Sequence, residues 1–374
     1  MSNDEPILIE ELAAQGGKRI GHVVLNSPKT LNSLSLAMIE KLQPQLEAWD
    51  DDENLACVFI EGAGEKAFCA GGDIIQIYKG MTGEGDESYP DNFFAREYRL
   101  DYTIHTLNTP VIAWGDGIIM GGGMGIYAGA SHRVVTQNSR LAMPEITIGL
   151  FPDVGGTWFL NRMPGHSGLF LGLTGAQMNA GDALYTGLGD RFIGAQDKQS
   201  VLDDLAAADN WDNPSLVVEH ILRQAEQNTD AHCPHSHVRK HLDCINEVSD
   251  SETLSGIVAG IRRLESHEDS WLAKAAKTLA GGCPVTAQLI YAQIQRGKHL
   301  SLKQVFLREL KMAFACIRNP DFREGVRALL IDKDGKPNWS YQSVAEVPDK
   351  YLAEHFIPRW EGEHPLADMR EEAA

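Results

Sequence analysis

Basic charge is scarce in this chain: 33 lysines and arginines stand against 52 aspartates and glutamates, a formal net charge of −19 at pH 7. Nucleic acid and anionic membrane surfaces attract basic faces, so neither is expected as a partner. Cysteine is sparse as well. Cys57, Cys69, Cys233, Cys244, Cys283 and Cys316 follow no framework spacing, which predicts reduced thiols and a cytoplasmic protein rather than a disulfide scaffold. No apolar run approaches the roughly eighteen residues of a membrane span. The first residues, M-S-N-D-E-P-I-L-I-E-E, are acidic and have the order of neither a signal nor a transit peptide. The phosphate-loop motif G-x-x-x-x-G-K-[ST] and the nucleophile elbow G-x-S-x-G are missing too.

What is present is ordinary globular material, with 43% hydrophobic and 23% charged residues. Ile7 to Leu12 and Ile20 to Leu25 predict paired strands around A-Q-G-G-K. Ser35 predicts the cap of a helix to about Asp50 whose buried stripe is Met38, Ile39, Leu42, Leu46 and Trp49, with Pro44 expected to kink or break it. Further strands are expected at Cys57 to Glu61, Val111 to Trp114 and H-R-V-V-T. Residues 80–92 are expected to form an exposed, mobile loop. Strand, glycine loop and helix alternate through the first half, and helices dominate from Trp158 onward, which predicts an α/β fold.

The stretch from Gly117 to Gly156 holds the most chemistry. Three glycines, Gly121 to Gly123, open a predicted helix, where unpaired amides carry partial positive charge and nothing bulky shields them. Glu145 and Asp153 follow in the apolar run M-P-E-I-T-I-G-L-F-P-D-V-G-G. Two acids in one apolar site can hold different protonation states and divide acid, base or nucleophile roles. Alternatively they cap local amides, including those of Gly155 and Gly156. Glu97 lies in the apolar stripe of Phe93, Leu100, Ile104 and Leu107, so the helix either turns it outward or aims it at a polar cavity. G-M-G-I-Y-A matches a dinucleotide fingerprint only in its glycines, because the next strand ends without the required acid. H-C-P-H-S-H meets no metal-ligand spacing and reads as a surface loop.

Together, L-N-S-P-K-T-L-N-S-L-S, K-A-F-C-A-G-G-D, G-I-I-M-G-G-G-M-G, the Glu145–Asp153 run and L-T-G-A-Q-M-N-A-G-D-A-L-Y-T-G-L resemble the crotonase (enoyl-CoA hydratase/isomerase) superfamily over about residues 6–356. The resemblance implies a spiral of ββα turns over residues 1–193, carrying the active site, and a helical region over 194–374 with a polar insert at 195–282. It also implies an acyl-CoA substrate and no separate cofactor; relatives often assemble through C-terminal helices, so a homo-oligomer is one reading, and a chain whose polar insert alters or blocks that assembly is the other. The family's oxyanion amides fall on Gly72 and Gly122, its second catalytic glutamate on Glu145, and Lys66 is expected near coenzyme A phosphate. Its first glutamate falls on Gly125. That departure, with F-F-A-R-E-Y, F-P-D-V-G-G and D-F-R-E-G-V-R-A-L-L-I-D-K-D, resembles the hydrolase branch, in which Asp153 is catalytic and Glu97 contacts substrate. The expected reaction is hydrolysis of a short 3-hydroxyacyl-CoA, with 3-hydroxyisobutyryl-CoA of valine breakdown the expected substrate. A hydratase or isomerase on the same scaffold and a non-catalytic binding protein are the alternatives.

Overall fold

The structure, a computed structural model, describes residues 5–370; the first four residues, where the acidic N-terminal stretch begins, and the last four lie outside them. Contacts divide the chain into two units of three segments each. Unit 1 is Met1–Gly72, Leu100–Leu141 and Met178–Ser236; unit 2 is Asp73–Arg99, Ala142–Gln177 and His237–Ala374. This division differs from the single cut after residue 193 that the sequence suggests.

In unit 1, β1 (Ile7–Ala13) and β2 (Arg19–Leu25) pair antiparallel, with Ile7 opposite Leu25. Next comes α1 (Leu36–Asp50), capped by Ser35, whose Oγ accepts the Met38 amide at 3.3 Å. Its buried residues are Met38, Ile39, Leu42, Leu46 and Trp49, the expected stripe. Pro44 does not break the helix, which runs through it. Burial of the stripe on both sides outweighs the one backbone bond that proline forgoes. Gly21 makes room for this packing, since a Cβ there would lie 2.7 Å from the Trp49 ring.

A two-strand step then repeats three times. β3 (Leu55–Gly62) joins a large sheet and β4 (Ala67–Cys69) a small one. After α2 (Ile74–Thr82) and α3 (Tyr89–Thr106), β5 (Val111–Gly115) and β6 (Ile118–Met120) do the same. Helix α4 (Gly122–Gly129) leads to β7 (His132–Val135) and β8 (Arg140–Ala142), again one strand for each sheet. Helices α5 (Gly156–Leu160), α6 (Ser167–Thr174) and α7 (Ala180–Thr186) precede the short β9 (Arg191–Phe192). The large sheet has the order β1-β2-β3-β5-β7-β9, parallel from β2 onward, and the small one β4-β6-β8. This is the ββα spiral that the sequence implies.

Helices α8 (Lys198–Ala207) and α9 (Pro214–Asn228) supply Val201, Leu205, Val218 and Leu222 to a core with Ile20, Phe59, Ile112, Trp114 and Val134 of the large sheet. Alternate residues of a strand share a face, so Cys57 and Phe59 of β3 and Ile112 and Trp114 of β5 enter this core together.

Unit 2 is helical. To its earlier segments it adds α10 (His237–Ser249), α11 (Leu254–Arg262), α12 (Ser270–Gly281) and α13 (Pro284–Gly297). The last are α14 (Leu302–Arg318), α15 (Pro320–Val326) and α16 (Asp349–Glu354). Residues 80–92 are not the expected long loop: α2 runs to Thr82 and α3 begins at Tyr89. Gly80 explains the short connection, since a Cβ there would lie 2.6 Å from the Pro90 ring. Past the histidine-rich segment, His237 and His241 both stack on Trp271, and His241 Nε2 lies 2.8 Å from Asp269. Among the described residues, no helix is long and apolar enough to cross a membrane.

Candidate active site

Two sets of candidate residues stand out, one in each unit. In unit 1 the loop after β4 meets the start of α4. Gly71 has φ +115°, and a Cβ on it would lie 3.3 Å from Met120 O and 3.7 Å from Gly122 N. A Cβ on Gly123 would run into the Cys69 carbonyl. Gly121, with φ +50° and ψ −129°, is the residue before α4, so Gly122 is the first residue of the helix. An amide there has no partner in the preceding turn and sits at the positive end of the helix dipole. Leu34 N donates to Gly71 O at 2.8 Å and so holds the Gly72 segment in place. Glycine at 123 keeps the two backbones close, and the positive φ of Gly71 favours glycine there as well. Lys66 serves this arrangement through its backbone, its carbonyl accepting the Ile118 amide at 3.1 Å, while its side chain is exposed.

Gly125 lies one turn further along α4. A Cβ there would meet the Asp101 carboxylate at 2.5–2.7 Å. Asp101 is fully buried. A glutamate at position 125 therefore has no room unless α3 shifts.

Unit 2 brings Glu97, Glu145 and Asp153 together. Each is at most 3% exposed. Glu97 comes from α3, Glu145 from a single 3-10 turn (Glu145–Thr147) after β8, and Asp153 from the loop before α5. Burial pushes the Glu97 carboxyl well above the usual range, and Asp153 and Glu145 push it further. Glu145 is raised by burial and then by Asp153. Asp153 rises to about 7, with burial partly opposed by a hydrogen bond from Tyr98. The Tyr98 hydroxyl donates to Asp153 Oδ2 at 2.7 Å. Among the described residues, Glu97 Oε1 and Glu145 Oε2 have no hydrogen-bond partner. Such buried atoms are costly, and a polar ligand that satisfies them gains accordingly.

Of the amides that Glu145 and Asp153 might have capped, that of Gly155 is taken by another acid and that of Gly156 by the Asp153 backbone carbonyl. Glu309, fully buried on α14, accepts the Gly155 amide and the Thr157 amide, each at 2.8 Å. Burial raises its pKa to about 8 against the two amides. Capping falls to Glu309, and the Asp153 carboxylate is left to Tyr98. Sequence reasoning missed both Glu309 and Tyr98. For Glu309 the signal was the one that exposed Glu97: a carboxylate inside the stripe of Val305, Phe306, Leu310 and Ala313, all buried.

Chemically, unit 1 holds a helix-start amide at Gly122, a kind of group that can stabilise negative charge. Unit 2 offers clustered carboxyls that cannot all ionise at neutral pH, so one can act as base while its neighbours donate.

The chain is also similar to known proteins. The enoyl-CoA hydratase/isomerase family model matches residues 20–356. A Danio rerio protein named 3-hydroxyisobutyryl-CoA hydrolase, mitochondrial, is 38% identical over 90% of this chain and 87% of its own. The Homo sapiens protein of the same name is 34% identical over 93% of this chain and 88% of its own. Among solved structures, a carnitinyl-CoA dehydratase from Mycobacterium thermoresistibile superposes with a TM-score of 0.83 at 31% identity, over 95% of this chain and 97% of its own. The names of the two sequence relatives place them in mitochondria, which lends the cytoplasmic expectation no support.

Proposed function

The chain belongs to the enoyl-CoA hydratase/isomerase family, and on that premise we propose that it hydrolyses the thioester of a short 3-hydroxyacyl-CoA. 3-Hydroxyisobutyryl-CoA is the proposed substrate, and 3-hydroxyisobutyrate and free coenzyme A are the products. The observation that carries hydrolysis over hydration is Gly125. Adding water across a double bond calls for a pair of acid/base groups, and the Asp101 carboxylate fills the space that a second one would need. The hydrolase names of the sequence relatives support the same choice.

In the proposed reaction the Gly72 and Gly122 amides hold the thioester oxygen as it gains charge. Glu145 acts in one of two ways. As nucleophile, its carboxylate attacks the carbonyl carbon, the C–S bond breaks, and water then cleaves the resulting mixed anhydride. As general base, it takes a proton from a water that attacks the same carbon. On either route the departing thiolate gains one proton; the new oxygen of the acid product comes from water on the base route and, on the anhydride route with water attacking the Glu145 carbon, from Glu145, which takes up the water oxygen in its place. Asp153, ionised in part near neutral pH, orients Glu145 or the water. Glu97, held neutral by burial and by its acidic neighbours, hydrogen-bonds the substrate hydroxyl. Lys66 is proposed to meet a coenzyme A phosphate. Coenzyme A enters and leaves as part of the substrate, and the reaction takes no separate cofactor.

The test is release of free thiol from 3-hydroxyisobutyryl-CoA, with hydration of crotonyl-CoA measured alongside. Hydration without thiol release would end the hydrolase reading. Single turnover in heavy-oxygen water separates the routes, since only the anhydride route leaves label in the Glu145 carboxylate. Full activity in both Glu145→Ala and Asp153→Ala would show that the chemistry lies elsewhere.

A further inference from the structure

The loop that presents Asp153 is in a conformation its own sequence resists. Val154, the residue after Asp153, has φ +51°. A β-branched residue is rarely found there, because its side chain crowds its own backbone. Gly155 follows with φ +88° and ψ +9°, so two left-handed residues stand in a row between Asp153 and α5. Valine at the first of them persists only where the surroundings over-determine the turn.

Two buried side chains from other helices do so. Glu309 of α14 accepts the Gly155 amide through Oε2 and the Thr157 amide through Oε1, both at 2.8 Å. Gln293 of α13, 1% exposed, donates through Nε2 to Pro152 O at 2.7 Å and to Thr157 Oγ1 at 2.9 Å. Bonds therefore fall on residue 152 just before Asp153 and on residues 155 and 157 just after it. The backbone closes the turn with the Gly156 amide donating to Asp153 O at 2.7 Å. None of these bonds uses the Asp153 carboxylate, which keeps its own bond to Tyr98.

We infer that Glu309 and Gln293 are positioning residues: they clamp the strained 152–157 turn from both sides and so fix where the Asp153 carboxylate points during hydrolysis. This rests on the functional reading above. A glutamate buried on α14 and bonded to the Gly155 and Thr157 amides serves no purpose in solubility, and a leucine would fill the same space without burying an acid. What a carboxylate adds is two acceptors at fixed separation, matched to amides two residues apart. The strain at Val154 is then held in place by contacts outside the turn.

Glu309→Gln keeps the shape of the side chain but faces one of the two amides with an NH2 group. Gln293→Met keeps length and removes both donors. The expected result for each folded variant is a kcat lower by at least about tenfold with KM within about threefold of the parent, because positioning matters more in the transition state than in binding. Amide exchange at Gly155 and Thr157 should also become faster, a readout that needs no activity. Parent-like kcat in both folded variants would overturn the inference, and so would unchanged exchange at those two amides. If Glu309→Gln does not fold, Gln293→Met, which leaves every charge in place, decides the matter. Absence of thiol release in the parent would instead fault the functional reading, and the exchange measurement would then decide the clamp alone.

Discussion

Replacing Tyr98 by Phe removes a single hydroxyl and should shift the pH dependence of hydrolysis. Tyr98 is fully buried, and its ring lies 5.8 Å from that of Phe94 and 6.0 Å from that of Phe306, contacts that phenylalanine keeps. What is lost is the 2.7 Å bond to Asp153 Oδ2. Other groups facing Asp153 remain: Glu97 on α3, Glu145 on its turn, and Glu309 and Cys316 on α14. Asp153 stands at about 7, with the Tyr98 bond holding it down against burial. A hydrogen bond to a charged group is worth about 1.5–3 kcal/mol, or about one to two pK units at 1.36 kcal/mol each. Without it, half-ionisation moves upward to about pH 8–9. The ionised fraction at pH 7 then drops from about one half to between about a tenth and a hundredth, so the rate there falls about 5- to 50-fold and recovers in alkali. Thiol release measured from about pH 5.5 to about pH 9.5 in parent and variant reads the acid limb directly. An acid limb at the same pH in both proteins would refute the reasoning, because Asp153 would then be either idle or indifferent to Tyr98.

Three further outcomes follow from the same geometry. Gly125→Ala should lose about 1–3 kcal/mol of stability in denaturant unfolding, because its Cβ overlaps the Asp101 carboxylate; no loss would mean that α3 yields easily. Gly125→Glu should not gain crotonyl-CoA hydration, and appearance of that activity would undo the argument from Gly125. The third outcome concerns stability against pH. Glu97, Glu145, Asp153 and Glu309 all have folded pKa values above their ordinary ones. The folded state thus binds more protons than the unfolded, and their contribution is full below the ordinary carboxylate range and lost as pH rises through the folded values. The contribution of these four acids should therefore decline from about pH 4 towards about pH 8, opposed below about pH 6.5 by His105, His132, His355 and His364, whose pKa values burial lowers. Glu97→Gln should flatten that decline and raise the melting temperature in mild alkali while thiol release falls; an unchanged slope would mean that Glu97 is not held neutral.

Much of this protein is legible in one dimension because local rules decide it. The α1 stripe and its Ser35 cap follow from helical spacing, and the first two strands from alternation around a glycine turn. Glu145 and Asp153 stand out because solvated acids do not belong in an apolar run, and the structure buries both. The Glu97 anomaly points the same way, and here burial beside two other acids settles the choice between outward and inward. Pro44 shows the opposite case. Its local penalty is real, yet the packed stripe carries the helix through.

What the sequence alone determined is therefore the set of elements, the family to which their motifs point, and the acids out of place. The tertiary structure decided which acid does which job. Glu309 is 154 residues from Gly155 along the chain, and nothing local tells that it, rather than Asp153, accepts that amide. Nor does the sequence tell that the Tyr98 hydroxyl donates to Asp153, 55 residues away. Spacing and propensity act over a few residues, whereas the energy of a buried carboxyl is set by whichever donors and charges folding places within a few ångströms of it.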